Sequence, residues 1–178
     1  MNRESTKAVA QHALSTIIGL PLTIAREAAD MTVFHFGEIR PHHTGRGTVG
    51  SYALHVQCSW RFVDATGIVT GYSDRFSPPD ENSEVDPDDW RAGNLQRLRL
   101  WELMGTFDEA TNSPIDQTGK FIVTSVVSDQ YAGLNIELSG GLLLQVFTDG
   151  SSEEAWRFFR CGDICSHLVI AGGRIETE

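Results

Sequence analysis

Residues 134–146 constrain the fold more than any other stretch, because they contain two short runs of alternating apolar side chains around Gly140-Gly141. This alternation is typical of half-buried strands. A two-residue turn would place the two apolar rows on opposite faces, whereas a three-residue turn through 139–141 places them on one face. The sequence therefore predicts a hairpin with a left-handed glycine and three facing pairs: Leu138 with Leu142, Ile136 with Leu144, and Leu134 with Val146.

The segment after this hairpin suggests a turn, a short helix and a last strand. Asp149-Gly150 suits a turn, and Ser151 followed by Glu154 matches a capping box for a helix that continues through Phe159. Residues 167–171 then have the composition of a strand. We therefore treat 133–171 as one hairpin, helix and strand module.

The remaining elements are predicted from periodicity and from breaker residues. They are an amphipathic helix at 5–19, strands at 31–36, 52–63, 68–76 and 120–127, and a helical region that starts at Asp86 and ends near Gly105. Together they predict one α+β domain over 1–178. Its mainly antiparallel sheet has about six to seven strands, with an N-terminal helix, a middle helical region and a short helix before the last strand.

Composition narrows the class of protein. The chain has 178 residues, 40% of them apolar, which is enough for one packed core. No apolar run is long enough to span a bilayer, the N-terminus does not resemble a secretory signal, and three cysteines do not suggest a disulfide framework. The net charge of −10 argues against nucleic acid or an anionic membrane as a partner. We expect a cytoplasmic protein without a cofactor.

Cys161, Cys165 and His167 are the nearest approach to a metal-binding set. Tetrahedral zinc requires four ligands, commonly from two short-spaced pairs, and only one such pair is present. His42 or His43 would have to complete the site. The alternative is that the cysteines are buried as small hydrophobic side chains, and this alternative is favoured.

His42-His43, flanked by Arg40 and Arg46, is a second candidate for chemistry. Histidine can exchange protons near neutral pH and arginine can bind an anion. No neighbouring carboxylate is placed to orient either ring, so a solvated loop over 41–50 is the favoured interpretation.

The polar face of the predicted hairpin 52–76 is a third candidate. If Val63 pairs with Ile68, one face carries a set of polar side chains that could form a ligand or acid–base surface. That set consists of His55, Gln57, Arg61, Tyr72 and Asp74. An ordinary solvent-facing side of an antiparallel sheet would look the same.

The loop 77–89 is rich in acidic residues. Six carboxylates fall within ten positions, and an aromatic side chain follows them: Asp80, Glu81, Glu84, Asp86, Asp88, Asp89 and then Trp90. The loop lacks the ligand spacing of a calcium-binding EF-hand. Exposed acids around an aromatic anchor would suit a basic protein partner, since complementary charge favours encounter.

Two segments resemble known sequences. Residues 51–61 and 141–159 resemble uncharacterised small bacterial proteins. The second segment, with its hairpin, acidic turn and Trp156-Arg157-Phe158 before a last strand, is also similar to families grouped with polymorphic-toxin immunity proteins. The resemblance covers about a sixth of the chain and implies a compact, cytoplasmic, non-enzymatic binder that neutralises a toxin.

The leading hypothesis is therefore an acidic protein-binding module, such as an immunity or inhibitor protein against a basic toxin or enzyme. The rival is a small enzyme or ligand-binding protein that uses the face around His55, Arg61 and Asp74. A homo-oligomeric structural protein is the third hypothesis.

Overall fold

The computed structural model describes residues 3–45, 47–83, 93–108, 113–163 and 167–176. Two α-helices are described, α1 (Arg3–Leu14) and α2 (Leu95–Met104). The described strands, in chain order, are β1 (Leu22–Ala28), β2 (Met31–Phe36), β3 (Arg40–Pro41), β4 (Thr48–Val49), β5 (Tyr52–Val56), β6 (Ser59–Asp64), β7 (Gly67–Gly71), β8 (Thr106–Asp108), β9 (Ser113–Ile115), β10 (Val123–Ser128), β11 (Leu134–Leu138), β12 (Leu142–Phe147), β13 (Glu154–Arg160), β14 (Leu168–Ala171) and β15 (Arg174–Glu176).

The strands form antiparallel sheets, which confirms an α+β fold with mainly antiparallel pairing. A sheet of eight strands has the order β15-β14-β13-β5-β2-β1-β9-β8, and a sheet of five has the order β10-β11-β12-β6-β7. The strands β3 and β4 form a separate two-stranded hairpin. The prediction of a single sheet with six to seven strands is therefore wrong for the described residues.

The hairpin at 134–146 forms with the predicted register. Leu138 pairs with Leu142, Ile136 with Leu144, and Leu134 with Val146, and all six side chains are buried. Gly140 and Gly141 both have left-handed backbone conformations, with φ of 81° and 79°. The local alternation and the turn residues were sufficient to predict this element.

The predicted strand 52–63 is two strands in two different sheets. β5 ends at Val56 and β6 begins at Ser59, and the chain bends between them to pass from the eight-stranded sheet to the five-stranded sheet. The apolar period continues through the bend, because both sheets turn their inner faces toward the same core. Leu54, Trp60 and Phe62 are accordingly all buried.

The helix predicted from Ser151 to Phe159 is wrong. Residues 154–160 form β13, which pairs with β5 on one side and β14 on the other. Trp156 and Phe158 point into the core, whereas Arg157 is partly exposed on the other face. Pairing on both edges outweighs a local capping signal, because it buries two aromatic side chains and satisfies the backbone along the whole strand.

The predictions of the N-terminal and middle helices agree better with the structure than the prediction of the Ser151–Phe159 helix. Helix α1 is followed by a 3-10 turn at Ser15–Ile17, close to the predicted 5–19 helix. Helix α2 begins after Asn94, whose side chain accepts a hydrogen bond from the Arg97 backbone, and ends at the left-handed Gly105. The predicted start at Asp86 lies outside the described residues.

Several strands have no counterpart in the sequence prediction. β1, β8, β9 and β15 were not predicted, and the predicted 41–50 loop contains most of the short hairpin formed by β3 and β4. The strand predicted at 120–127 is β10, at Val123–Ser128. The predicted strand 68–76 ends at Gly71 and continues as a 3-10 turn at Tyr72–Phe76.

The two large sheets pack face to face and are also joined near the start of β1. Gly19 donates its backbone N–H to the carbonyl of Val123, and Leu22 donates to the carbonyl of Phe121. Between the sheets, Phe34 lies edge-to-face with Trp60 and Phe62, with ring centroids 5.0 and 5.6 Å apart. These aromatic side chains from both sheets pack in the space between them.

Candidate functional site

A cleft lies on the outer face of the eight-stranded sheet. Directly paired residues of antiparallel strands point to the same side of a sheet. Val33 of β2 pairs with His55 of β5, and His55 pairs with Arg157 of β13. Arg26 of β1 is paired with Val33 in the same row. Four neighbouring strands therefore place these side chains on one surface.

The hairpin β3–β4 forms the opposite wall of this cleft. Arg40 at its base donates from Nη2 to the Cys161 carbonyl just beyond β13, across 121 positions of sequence. The volume of this open cleft is about 650 Å³, within the range of small-molecule sites. The charged, imidazole and aromatic side chains that line the cleft include Arg26, His35, Arg40, His55, Phe159 and Asp163.

His35 is the most buried polar group of the cleft, with 3% of its surface exposed. Its Nδ1 accepts a hydrogen bond from the Gly50 backbone N–H at 2.9 Å. A neutral imidazole that accepts at Nδ1 carries its proton on Nε2. The protein therefore holds His35 as a donor at Nε2.

The bond from Gly50 requires a glycine at that position. A β-carbon there would lie 2.8 Å from the Phe36 carbonyl oxygen and 2.9 Å from Cβ of His35. Only a residue without a side chain lets the backbone come this close to β2. Gly50 is thus part of the structure that orients the His35 ring.

Both central imidazoles are neutral at physiological pH. Burial, followed by the charge of Arg26, lowers the pKa of His35 to about 3. Burial, followed by the charge of Arg157, lowers the pKa of His55 to about 4. Desolvation penalises the charged form of each ring, and nearby guanidinium groups add to that penalty.

Three ring nitrogens of these imidazoles are not used by the fold. Among the described residues, no hydrogen bond reaches Nε2 of His35 or either nitrogen of His55. Polar groups that a fold removes from bulk water are nearly always paired. Both His35 and His55 line the cleft.

The charge of the cleft is positive. Arg26 and Arg40 contribute two positive charges and Asp163 contributes one negative charge. His42 and His43 of the β3–β4 hairpin also line the cleft, and with every histidine counted as neutral the lining carries one formal positive charge. Arg157 lies on the same sheet face, but its charge is balanced by Glu154, with an Nη2–Oε2 distance of 2.5 Å.

The candidate metal ligands, for which the sequence analysis favoured a structural alternative, are only partly described. Cys161 is buried, and its Sγ lies 3.9 Å from Nδ1 of His35. His167 stacks on Phe159 with ring centroids 4.2 Å apart, and Cys165 lies outside the described residues. In the part of the chain that the structure describes, no three His, Cys, Asp or Glu side chains are grouped to hold a metal ion. Burial raises the pKa of the Cys161 thiol, so this cysteine is a thiol and not a thiolate.

The predicted polar face around His55 does not exist as one surface. Val63 does pair with Ile68, as predicted, but a register shift then pairs Arg61 with Gly71 instead of Thr70. His55 belongs to the eight-stranded sheet and Arg61 to the five-stranded sheet. The two residues lie in different sheets because the chain bends at 57–58, between β5 and β6.

The other members of that face have structural partners. Asp74 accepts hydrogen bonds from Thr70 Oγ1 and from the Gly71 backbone, and so holds the turn after β7. Tyr72 lies in the same turn, where its ring meets Phe76 edge-to-face. Gln57 lies at the bend and donates its backbone N–H to the Ala155 carbonyl.

The acidic loop lies mostly outside the described residues. Asp80 and Glu81 are described and exposed, and Asp80 accepts hydrogen bonds from the Asn82 backbone and from Ser83 Oγ. Glu84, Asp86, Asp88, Asp89 and Trp90 belong to the segment that is not described.

Sequence reasoning missed several residues that line the cleft and the glycine that orients His35. His35 was predicted within a strand but was given no role, and Arg26 and Gly50 were not considered. Arg40 was noted only as a neighbour of His42. A histidine in the run Met31–Phe36, otherwise apolar except for Thr32, was the one available signal, since such a residue needs a hydrogen-bond partner.

Comparison with known proteins does not add an assignment to this geometry. No family model, no curated protein and no solved structure matches the chain. Among the described residues, no helix has both the length and the apolar character needed to cross a membrane.

Proposed function

We propose that this protein binds a small anionic molecule in the cleft between the outer face of the eight-stranded sheet and the β3–β4 hairpin. One observation carries the proposal. A nearly buried imidazole, His35, has a donor at Nε2 that no described residue uses, in a cleft lined by the guanidinium groups of Arg26 and Arg40.

The chemistry of these groups suits an anion. A neutral imidazole N–H and a guanidinium are both donors, and hydrogen bonds to charged acceptors are stronger than bonds between neutral groups. The cleft also keeps water partly away from the ligand, which strengthens each of these interactions. An anion would thus gain more here than on the open surface.

Binding is better supported than catalysis. The low pKa of His55, about 4, makes this ring a weak base, and the raised pKa of the Cys161 thiol makes it a poor nucleophile at neutral pH. His55 can still donate or accept a hydrogen bond as a neutral ring. The residues of the cleft therefore suit recognition of a ligand more than its conversion.

A pair of substitutions at His35 tests the proposal. In His35→Asn the amide oxygen can still accept from Gly50, but the donor at the Nε2 position is lost. In His35→Gln the longer side chain can place an amide N–H near that position. With acetate, benzoate, phosphate and sulfate as probes, we expect at least one anion to bind saturably to the unsubstituted protein in calorimetry.

We expect His35→Asn to weaken that binding by about 10- to 100-fold, the loss of one hydrogen bond to a charged group, and His35→Gln to retain more of it. Arg61→Gln, on the other large sheet, is the matched control and should bind as the unsubstituted protein does. The proposal is wrong if none of the four anions saturates, or if His35→Asn binds as tightly as the control.

A basic protein partner for the acidic loop is a second proposal, and it does not depend on the cleft. It is supported by the net charge of −10 and by the exposure of Asp80 and Glu81. An immunity or inhibitor protein is one form that such a binder could take. Lysine substitutions across the acids of 80–89 should abolish capture of the partner, whereas His35→Asn should leave capture unchanged.

A further inference from the structure

The side chains that line the cleft indicate the shape and polarity of the part of the ligand that carries no charge. Phe159 lines the cleft and contacts two imidazoles: His55 meets it edge-to-face at 4.9 Å, and His167, which is not a lining residue, stacks on it at 4.2 Å with 17° between the ring planes. Pro41 and Val49 of the hairpin contribute apolar surface on the other side. Flat apolar molecules fill a space of this kind well, since aromatic rings gain from both burial and ring contacts.

The charge of the lining limits the charge of the ligand. Two guanidinium groups and one carboxylate leave a single formal positive charge when the four histidines of the lining, His35, His42, His43 and His55, are counted as neutral. Among the described lining residues, the charges of Arg26 and Arg40 balance the Asp163 carboxylate and one negative charge on the ligand, so a second charge on the ligand would exceed them. Like charges in one partly desolvated site repel, so the lining favours a singly charged ligand.

The arrangement of donors distinguishes a carboxylate from a phosphate. The cleft offers one fixed donor, Nε2 of His35, together with the planar guanidinium groups of Arg26 and Arg40. A carboxylate has two oxygens in one plane and is well matched by planar donors. A phosphate monoester has three terminal oxygens and a second charge near neutral pH, which require more donors and more positive charge.

We infer that the ligand is an aromatic monocarboxylate, whose carboxylate meets His35 and the two arginines while its ring lies between Phe159 and the β3–β4 hairpin. This inference rests on the proposed function of the cleft. It assigns the chemical class of the anion, which the proposed function leaves open.

Four probes of matched shape test the inference on the full chain by calorimetry at about pH 8, where a phosphate monoester is doubly charged because its second pKa is about 6. The probes are 2-naphthoate, 2-naphthyl phosphate, 2-naphthalenemethanol and acetate. We expect 2-naphthoate to bind at least about tenfold more tightly than each of the other three, since it alone combines one charge with a flat apolar body.

A second comparison uses the aromatic wall. Phe159→Leu should weaken 2-naphthoate about five- to tenfold, through lost ring contact, and leave the affinity for acetate within about twofold. Unchanged binding of acetate in the same variant shows that the cleft is still folded. Phe147→Leu, on the outer face of the five-stranded sheet, is the matched control and should bind both probes normally.

The outcomes separate this inference from the proposed function. Tighter binding of 2-naphthyl phosphate, or equal binding of the uncharged alcohol, overturns the monocarboxylate class but leaves a binding cleft. Equal loss of both acetate and 2-naphthoate in Phe159→Leu overturns the placement of the ring. If neither acetate nor any of the naphthyl anions binds, the proposed function fails as well.

Discussion

The outer faces of the two large sheets both carry polar side chains, but they satisfy these side chains differently. On the five-stranded sheet, Arg61 donates from Nε to Gln145, and Gln145 donates to Asn135, so that a row of hydrogen bonds crosses β6, β12 and β11. At the edge of the same face, Ser59 donates to Asp149. These polar groups are partners of one another.

On the eight-stranded sheet, the comparable row of side chains contains ring nitrogens to which no described residue bonds. His55 lies between Val33 and Arg157 in the pairing of the strands, and no described residue bonds to its ring nitrogens. The β3–β4 hairpin lines the cleft over this row and reduces its contact with water, whereas the Arg61–Gln145 bond on the other sheet is only partly buried. A polar sheet face therefore indicates a site only where its polar atoms lack partners in the fold and something shields them.

The largest effect expected from this difference is on the pH dependence of stability. The unfolded chain binds protons at an ordinary histidine pKa of 6.5, whereas His35 and His55 in the folded chain bind them only near 3 and 4. The two rings therefore cost no stability above pH 6.5, and stability falls as the pH drops from there toward 4. The slope is about 1.4 kcal/mol per pH unit for each ring, or roughly 3–4 kcal/mol for both between pH 7 and 5.

Urea unfolding at pH 7 and 5 measures this loss. The double variant His35→Asn, His55→Asn should show a clearly shallower dependence, and His12→Asn, which changes an exposed histidine of α1, should behave as the unsubstituted chain. If the free energy of unfolding falls as steeply with pH in the double variant as in the unsubstituted chain, His35 and His55 do not cause the pH dependence.

A smaller effect is expected from the glycine that orients His35. Gly50→Ala places a β-carbon 2.8 Å from a carbonyl oxygen of β2 and should lower the free energy of unfolding by about 1–3 kcal/mol. It should also weaken anion binding, because the donor to Nδ1 of His35 moves. Thermal unfolding and calorimetry measure the two effects.

The matched control is Gly150→Ala. A β-carbon at that position would lie 4.0 Å from its nearest neighbour, and the backbone does not have a left-handed conformation. Its effect on stability should be under about 0.5 kcal/mol. If both alanine variants are equally stable, Gly50 is not a close-contact position.

The smallest effect is expected on the outer face of the five-stranded sheet, where the polar side chains bond to one another. Arg61→Ala removes the donor to Gln145 and the contact of the guanidinium with the Phe147 ring, 5.1 Å from its centroid. Both partners remain accessible to water, so the free energy of unfolding should change by less than about 1 kcal/mol. Anion binding should not change. A loss of binding in Arg61→Ala would instead place the site on the five-stranded sheet.

Elements whose partners are close in sequence could be predicted. The register of β11 and β12 follows from a three-residue turn, and the end of α2 follows from Gly105. The pairing of Val63 with Ile68 was correct for the same reason, since only a turn separates them. Each of these features depends on steric and hydrogen-bonding choices within a few residues.

The cleft could not be predicted in the same way. The bond between Arg40 and the Cys161 carbonyl spans 121 positions, and the row from Arg26 to Arg157 requires that four strands be placed in order. The candidate face around His55 was wrong because it assumed a single continuous strand. One bend at 57–58 separates His55 from Arg61, and the period of apolar residues does not reveal this bend.

The sequence alone determined which side chains face inward, where the glycine turns lie and how the central hairpin is registered, because periodicity and local sterics govern these features. The tertiary structure decided which sheet each strand joins, whether 154–160 is a helix or a strand, and which polar atoms remain without partners. Those outcomes depend on pairing and burial between segments that are far apart in the chain. Nε2 of His35 and both ring nitrogens of His55 lack a partner among the described residues because of how the whole fold is assembled.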